Sequence, residues 1–539
     1  MRSIGEIQRA HRRVEAEPLA PNMAALLDGA VERYPDRKAL VFFEQGVDLT
    51  YRELAEQVKR LASGLAAIGV RKGSHMAIML PNVAAFPITW LALARLGAVM
   101  VPVNCRYKAR ELGYVLDDGD AEFLLIHNDF VGLLGEMETW PPKLSKDRVI
   151  VYGDGSAGMK LNWSELVASG TIEGAPPAMA GLDDLLNIQY TSGTTGFPKG
   201  CMQTHRYWVS AGHAMRFTDG SDVTRILAPT FYFYLDDMLM TSYALHVGAT
   251  LYVANQLSAS RFMQWVRQYD IEYVFLFEPV FKQPPHPDDG RNKLKLACIL
   301  GFSKGNHAEL EARFGAIARE RFGMTEGGLL FYVPNDHEHM VGSGSCGIPA
   351  PFREAAIRDE QGRPVPTGEV GELWVRGPGV IEAYYKKPDA NAHSFHDGWM
   401  RTGDVFRQDA DGYFYIVGRI KDMIRRSQEN ISAHELEAVL RTMAGIREAA
   451  CVPVPDEHRG EEVKAYVELE AGLTCADIPP HAIVSHCERN LAVFKIPRYL
   501  EYVLQFPYGP SQKVEKRRLI EAKPDLRLGS YDRIDGVWR

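Results

Sequence analysis

From Thr191 to Gly200 the chain reads Thr191-Ser192-Gly193-Thr194-Thr195-Gly196-Phe197-Pro198-Lys199-Gly200, a composition suited to holding phosphate. Its three glycines let backbone N–H groups turn inward, and its four hydroxyls and one lysine add donors. A P-loop is excluded, because Lys199 is followed by Gly200 and the glycine spacing differs. A dinucleotide fingerprint is excluded as well, since it lacks this density of hydroxyls and the lysine. The segment follows the apolar run 185–188 and is expected to lead into a helix. Read alone, a flexible surface loop could have the same composition.

The loop resembles the signature of the adenylate-forming superfamily, which includes acyl-CoA synthetases, peptide-synthetase adenylation domains and beetle luciferases. Further segments resemble that family's other motifs in order. Arg321-Phe322-Gly323-Met324-Thr325-Glu326 resembles Tyr-Gly-x-Thr-Glu. The resemblance gives Phe322 the adenine stack, Thr325 a phosphate contact and Glu326 a place on Mg²⁺. Phe322 keeps the π-face, and a carboxylate is the hard oxygen donor that Mg²⁺ prefers. A lone Thr-Glu is more often a helix cap. Gly398-Trp399-Met400-Arg401-Thr402-Gly403-Asp404 resembles Trp-x-x-Thr-Gly-Asp. Asp404 would offer two acceptor oxygens to the ribose diol, although an aspartate in a Gly-Asp turn is common.

Gly418-Arg419-Ile420-Lys421-Asp422 resembles the family hinge, with Arg419 near ribose or phosphate and Lys421 absorbing the rotation. Pro510-Ser511-Gln512-Lys513-Val514 resembles Pro-Thr-Gly-Lys-Val. Lys513 would then stabilise the charge that builds as a carboxylate attacks the α-phosphate. Without its flanks, Lys513 would read as a solubility residue. Weaker echoes at 49–54, 98–104 and 344–349 are packing segments in the family.

Some regions depart from the pattern. Tyr232 takes the position of an aromatic gate within Pro229-Thr230-Phe231-Tyr232. Relatives carry Gly-Gly-Glu-Asn-Ile along a pantetheine tunnel, where this chain has Ser427-Gln428-Glu429-Asn430-Ile431. Gln428 narrows that tunnel or hydrogen-bonds the pantetheine amides. Gln512 replaces a glycine beside Lys513. Gly301-Phe302-Ser303-Lys304-Gly305 stands where relatives place an adenine-facing turn. The acid pocket of the family is built between the gate and this turn. Phe231, Tyr232, Phe233 and Tyr234 suit a bulky or aromatic acid, Asp236 or Asp237 a cationic one such as a betaine, and Lys304 or Lys282 a second carboxylate. The plainer reading makes Asp236 the cap of a helix over 238–245 and the aromatics core.

The elements that must position these residues follow from periodicity. Leu54, Val58, Leu61, Leu65 and Ile68 share one face of a helix. A strand over 76–80, a helix over about 84–96 and a strand over 98–103 make a right-handed crossover unit. Strands over 250–253 and 273–276 form another pair around a helix, and strands over 372–376 and 412–417 belong to a smaller β-rich region. The expected class is α/β: a large multi-sheet N-terminal domain, 1–418, with parallel-rich sheets and a small β-rich region, then a small mobile α/β domain, 419–539.

With 539 residues, more than one core is expected. The net charge of −8 and the lack of a Lys/Arg run exclude a typical nucleic-acid binder. Seven cysteines without a CxxC pair indicate neither a disulfide framework nor zinc, and fit a reducing, cytoplasmic setting. No secretory leader is expected, and the apolar stretch 84–103 is too interrupted to span a bilayer. The resemblance implies a ligase that uses ATP, Mg²⁺ and coenzyme A on a small-molecule carboxylic acid, with a homodimer as the default assembly. Loading of a separate carrier protein and an inactive nucleotide sensor are the alternatives.

Overall fold

The computed structural model describes residues 1–539 except 155–157, 192–197, 420–422, 427–428, 458, 492 and 510–512, and it also leaves out the side chains of Arg425, Glu429 and Asn430. The chain divides into two compact units. One comprises Met1–Ala355, Trp374–Arg401 and Asp411–Phe414; the other comprises Ala356–Leu373, Thr402–Ala410 and Tyr415–Arg539. This division differs from a single cut after residue 418, because segments 356–373 and 402–410 group with the C-terminal part.

In the first unit one sheet has nine strands among the described residues, in the order Ile348–Pro349, Gly328–Tyr332, Ile317–Met324, Leu296–Ile299, Tyr273–Leu276, Arg225–Ala228, Thr250–Val253, Lys38–Phe42, Val47–Thr50. Its interior pairs are parallel and its edges antiparallel. A second, seven-stranded sheet runs Leu161–Asn162, Val149–Tyr152, Phe123–His127, His75–Met79, Val99–Pro102, Leu185–Thr191, Lys199–Thr204. Only its last pair is antiparallel.

Helix Tyr51–Ala67 begins at a capping box in which Thr50 and Glu53 satisfy each other's backbone N–H groups. It buries Leu54, Val58, Leu61 and Leu65, the face that the periodicity defines. Helix Ala85–Leu96 is buried all round, as expected of a helix inside a large core, and ends on Gly97 in the left-handed conformation. Trp90 on it donates to Asn187 Oδ1 at 2.9 Å, tying the helix to the strand that leads into the phosphate-loop sequence. Strands 250–253 and 273–276 lie where expected but are not neighbours: Arg225–Ala228 separates them, so this crossover skips one strand.

A five-stranded sheet is made of Glu354–Arg358, Val370–Arg376, Trp399–Gln408 and Phe395–His396, with Phe414–Arg419 beside Trp399–Gln408. The second unit holds a seven-stranded sheet centred on Gly460–Leu469. Helices Ala433–Arg441 and Pro480–Asn490 cover it with Leu436, Leu440, Ile483 and Cys487. The seven cysteines are free thiols, and among the described residues no helix is long and apolar enough to cross a membrane.

Candidate active site

The phosphate-loop sequence joins two antiparallel strands, Leu185–Thr191 and Lys199–Thr204, with Thr191 opposite Lys199. The expected helix directly after the loop is therefore replaced by a strand, and helix His205–Thr218 starts only beyond it. The cause is local: Lys199–Thr204 pairs with the strand Leu185–Thr191, so the loop's return path is sheet. Ser192, Gly193, Thr194, Thr195 and Gly196 lie outside the described residues. Both ends of the loop are anchored. Tyr190 donates to Asp118 Oδ2 at 2.7 Å, and Tyr114 donates to the Pro198 carbonyl at 2.9 Å.

Thr325, Glu326 and Gly327 form the tight turn between strands Ile317–Met324 and Gly328–Tyr332, not a helix cap. The Thr325 carbonyl accepts from Gln203 Nε2 at 2.9 Å and from the Tyr207 hydroxyl at 3.0 Å. These bonds join the turn to the strand that follows the phosphate loop and to the helix beyond. The Glu326 carbonyl accepts from Ile381 N at 2.8 Å. Its carboxylate Oε1 accepts from the Tyr384 hydroxyl at 2.9 Å. The ring of Tyr384 in turn lies under Lys199, whose Nζ is 4.3 Å from the ring centroid. The structure thus brings Lys199, Thr325 and Glu326 into one network through Tyr384, Gln203 and Tyr207, three residues that spacing alone did not mark.

Half-buried Phe322 is tilted against Phe331, with centroids 6.2 Å apart. Gly301 follows strand Leu296–Ile299, the parallel neighbour of the strand that carries Phe322. This places the two at adjacent strand carboxyl ends, where open α/β sheets bind ligands. Glu320 shapes the turn between them. It accepts from Gly301 N at 3.2 Å and Phe302 N at 2.9 Å, and burial pushes its carboxyl up to about 8.

The aromatic cluster splits. Tyr232 has no exposed surface; its ring packs 5.4 Å from Phe86 and 6.4 Å from Phe42, and its hydroxyl lies 3.1 Å from Thr241 Oγ1. It is core rather than a gate. Phe231 and Phe233 stack at 4.9 Å, Tyr234 packs against Phe233 at 4.5 Å, and Tyr234 N closes the turn on the Phe231 carbonyl at 2.9 Å. Helix Leu235–Val247 starts directly after this turn, three residues before 238, with Tyr234 at its N-cap. Asp236 therefore occupies the first turn and does not cap. Asp237 is also withdrawn from the pocket: fully buried, it accepts from Thr230 Oγ1 at 2.6 Å, and burial raises its carboxyl to about 7. Half-buried Asp236 differs, because among the described residues no hydrogen bond or ion pair reaches it. Burial raises it to about 6. Lys282 faces Glu278 at 3.8 Å, and the Lys304 stem runs across Gly344, its Cε 2.0 Å from where a Cβ would stand. Neither lysine is thereby directed to a second carboxylate.

In the second unit Asp404 is buried and its Oδ1 lies 2.8 Å from Arg419 Nε. Thr402 Oγ1, held on the Leu373 carbonyl at 2.8 Å, accepts from Asp404 N at 3.1 Å. Arg419 is the last residue of strand Phe414–Arg419, and Lys421 lies outside the described residues. Lys513 is exposed, and its carbonyl accepts from Gly509 N at 2.9 Å. Gln512, Ser427, Gln428 and the Glu429 side chain are outside the described residues; the flanking strands pair Arg426 with Glu429.

Among the described residues no group of three or more His, Cys, Asp or Glu could hold a metal. One carboxylate beside a phosphate loop fits Mg²⁺ that keeps its waters and rides on substrate phosphates, rather than a dedicated protein cage.

The sequence model of the AMP-binding enzyme family matches residues 27–385, and that of the AMP-binding enzyme C-terminal domain matches residues 435–513. The crotonobetaine/carnitine–CoA ligase of Salmonella paratyphi A is 31% identical over 519 residues, covering 92% of this chain and 98% of that protein. ATP-bound MatB from Rhodopseudomonas palustris has the same fold at TM-score 0.82 and 24% identity, over 93% of this chain and 99% of that one. The o-succinylbenzoate CoA synthetase of Bacillus subtilis, in complex with its acyl-adenylate intermediate, superposes at TM-score 0.81 with 24% identity, over 94% of this chain and 100% of that one. The chain belongs to the AMP-binding enzyme family, in its acyl-CoA synthetase branch, and is an acid:CoA ligase of the AMP-forming kind.

Proposed function

We propose that this ligase activates a small carboxylic acid bearing a cationic group, and that the residues singled out above divide the work as follows. The 191–199 loop, with Lys199, holds the triphosphate. Phe322 and the Gly301 turn take the adenine, and Asp404 with Arg419 takes the ribose. Thr325 meets phosphate. Glu326 would hold Mg²⁺, which when bound neutralises phosphate charge. Lys513 stabilises the charge that develops as the carboxylate attacks the α-phosphorus and pyrophosphate leaves. The thiol of coenzyme A then attacks the acyl carbonyl and releases AMP. Lys421 serves as the hinge between the two half-reactions, and Ser427, Gln428 and Glu429 line the path of the pantetheine.

One observation carries the choice of acid: Asp236, half-buried beside the Phe231–Phe233–Tyr234 cluster, with no described partner. A carboxylate next to π-faces suits a quaternary ammonium, and the Salmonella relative carries a betaine acid in its name.

The test is pyrophosphate release from Mg-ATP with a panel of betaine, aliphatic, aromatic and dicarboxylic acids, with and without coenzyme A. Betaine acids are expected to lead, with thioester forming only when coenzyme A is present. Asp236→Asn should raise their KM about tenfold or more. In the wild type that KM should fall as pH rises through about 6, where the carboxyl ionises. Equal turnover of betaine and neutral acids by the wild type, with the KM for betaine acids unchanged in Asp236→Asn, would remove the cationic reading and leave the ligase.

A further inference from the structure

We infer that Tyr384 is a positioning residue of the nucleotide half-site: its hydroxyl orients Glu326 while its ring seats Lys199, so that the two charges stay apart for phosphate and cation. The inference rests on the ligase reading above. Lys199 and Glu326 carry opposite charges, and a direct ion pair would use up both. Among the described residues no such pair joins them. Tyr384 stands in both contacts instead, 2.9 Å from Glu326 Oε1 through its hydroxyl and 4.3 Å from Lys199 Nζ at the ring centroid. A neutral hydroxyl fixes one carboxylate oxygen without cancelling the charge. A ring face attracts an ammonium without supplying a counter-charge.

Tyr384 is itself held rigidly. Its side chain is buried against Phe395, with ring centroids 5.6 Å apart. Its N–H donates to Asn391 Oδ1 at 2.7 Å, and Asn391 Nδ2 returns a bond to its carbonyl at 2.9 Å. Its backbone bridges antiparallel to Cys201, and Tyr385 N donates to the Gly200 carbonyl at 2.8 Å. Farther along the same segment, Lys387 pairs with Asp118, the acceptor of Tyr190. One short stretch of chain therefore braces both ends of the phosphate loop and reaches the Thr325–Glu326 turn.

The experiment uses the full chain with Tyr384→Phe and Tyr384→Leu. ATP–pyrophosphate exchange is titrated with Mg²⁺, and thermal unfolding is followed without nucleotide and with ATP in Mg²⁺ or EDTA. Tyr384→Phe is expected to unfold near the wild-type temperature when free, to need about tenfold more Mg²⁺ for half-saturation, and to gain less from Mg-ATP. Tyr384→Leu, which also loses the ring, is expected to raise the KM for ATP and to gain less from ATP in EDTA. Wild-type Mg²⁺ dependence together with wild-type Mg-ATP stabilisation in Tyr384→Phe would overturn the inference. Should Tyr384→Leu fail to fold, the Tyr384→Phe/Glu326→Gln cycle decides: non-additive losses support the coupling, additive ones overturn it. An active wild type with an indifferent Tyr384→Phe sinks this inference alone. A wild type that exchanges pyrophosphate with no acid sinks the ligase reading along with it.

Discussion

Glu320 joins stability to the shape of the site. Its carboxyl accepts two backbone N–H groups of the Gly301 turn, yet burial still raises it to about 8 against an ordinary value of 4.5. Between those values the folded chain binds a proton that the unfolded chain has released. The contribution is therefore fully present below about pH 4.5 and lost as pH rises through about 8, at about 1.4 kcal/mol per unit of difference. Thermal unfolding from pH 5 to 8 should show stability falling with pH. Glu320→Gln should flatten that slope, because the amide keeps an acceptor and cannot ionise. An unchanged slope would mean that the buried carboxyl is not the source.

Strand pairing sets tight limits near the Thr325–Glu326 turn. Gly347, just before strand Ile348–Pro349, has φ +93°, and a Cβ there would stand 1.9 Å from the Tyr332 carbonyl oxygen. Its neighbours are fixed too: Gly347 N donates to Ser345 Oγ at 2.9 Å, and Phe414 N donates to the Gly347 carbonyl at 2.8 Å. Gly347→Ala must strain the backbone and push apart the strand that leaves the Thr325–Glu326 turn. A loss of about 3 kcal/mol or more is expected in urea unfolding. Activity should fall with it, since Glu326 lies two residues before strand Gly328–Tyr332, the partner of Ile348–Pro349.

The two half-reactions belong to the molecule as a whole. If Lys513 serves only the adenylation step, Lys513→Ala should slow acid-dependent pyrophosphate release by about 10²–10³-fold. Transfer from preformed acyl-adenylate to coenzyme A should stay within a few-fold of wild type, because the cation has no role once pyrophosphate has left. Single-turnover assays of each step separate the two. Equal losses in both would show that Lys513 acts through the fold.

The sequence by itself determined the phosphate-loop composition, the order of the supporting motifs and the alternation of helices with apolar strands. Each is a local property: glycine freedom, hydroxyl density, and apolar spacing such as Leu54, Val58, Leu61 and Leu65. Only the tertiary structure decided which neighbouring side chains face the core and which do not. Tyr232 is buried against Phe42 and Phe86 while Phe231 stays half-buried, because helix Leu235–Val247 starts earlier than its apolar run announces. Likewise, nothing local to Ala383-Tyr384-Tyr385 shows that its first tyrosine meets a glutamate 58 residues away. That contact depends on which strand edges and turns come together, and pairings between distant segments leave no periodic mark in the chain.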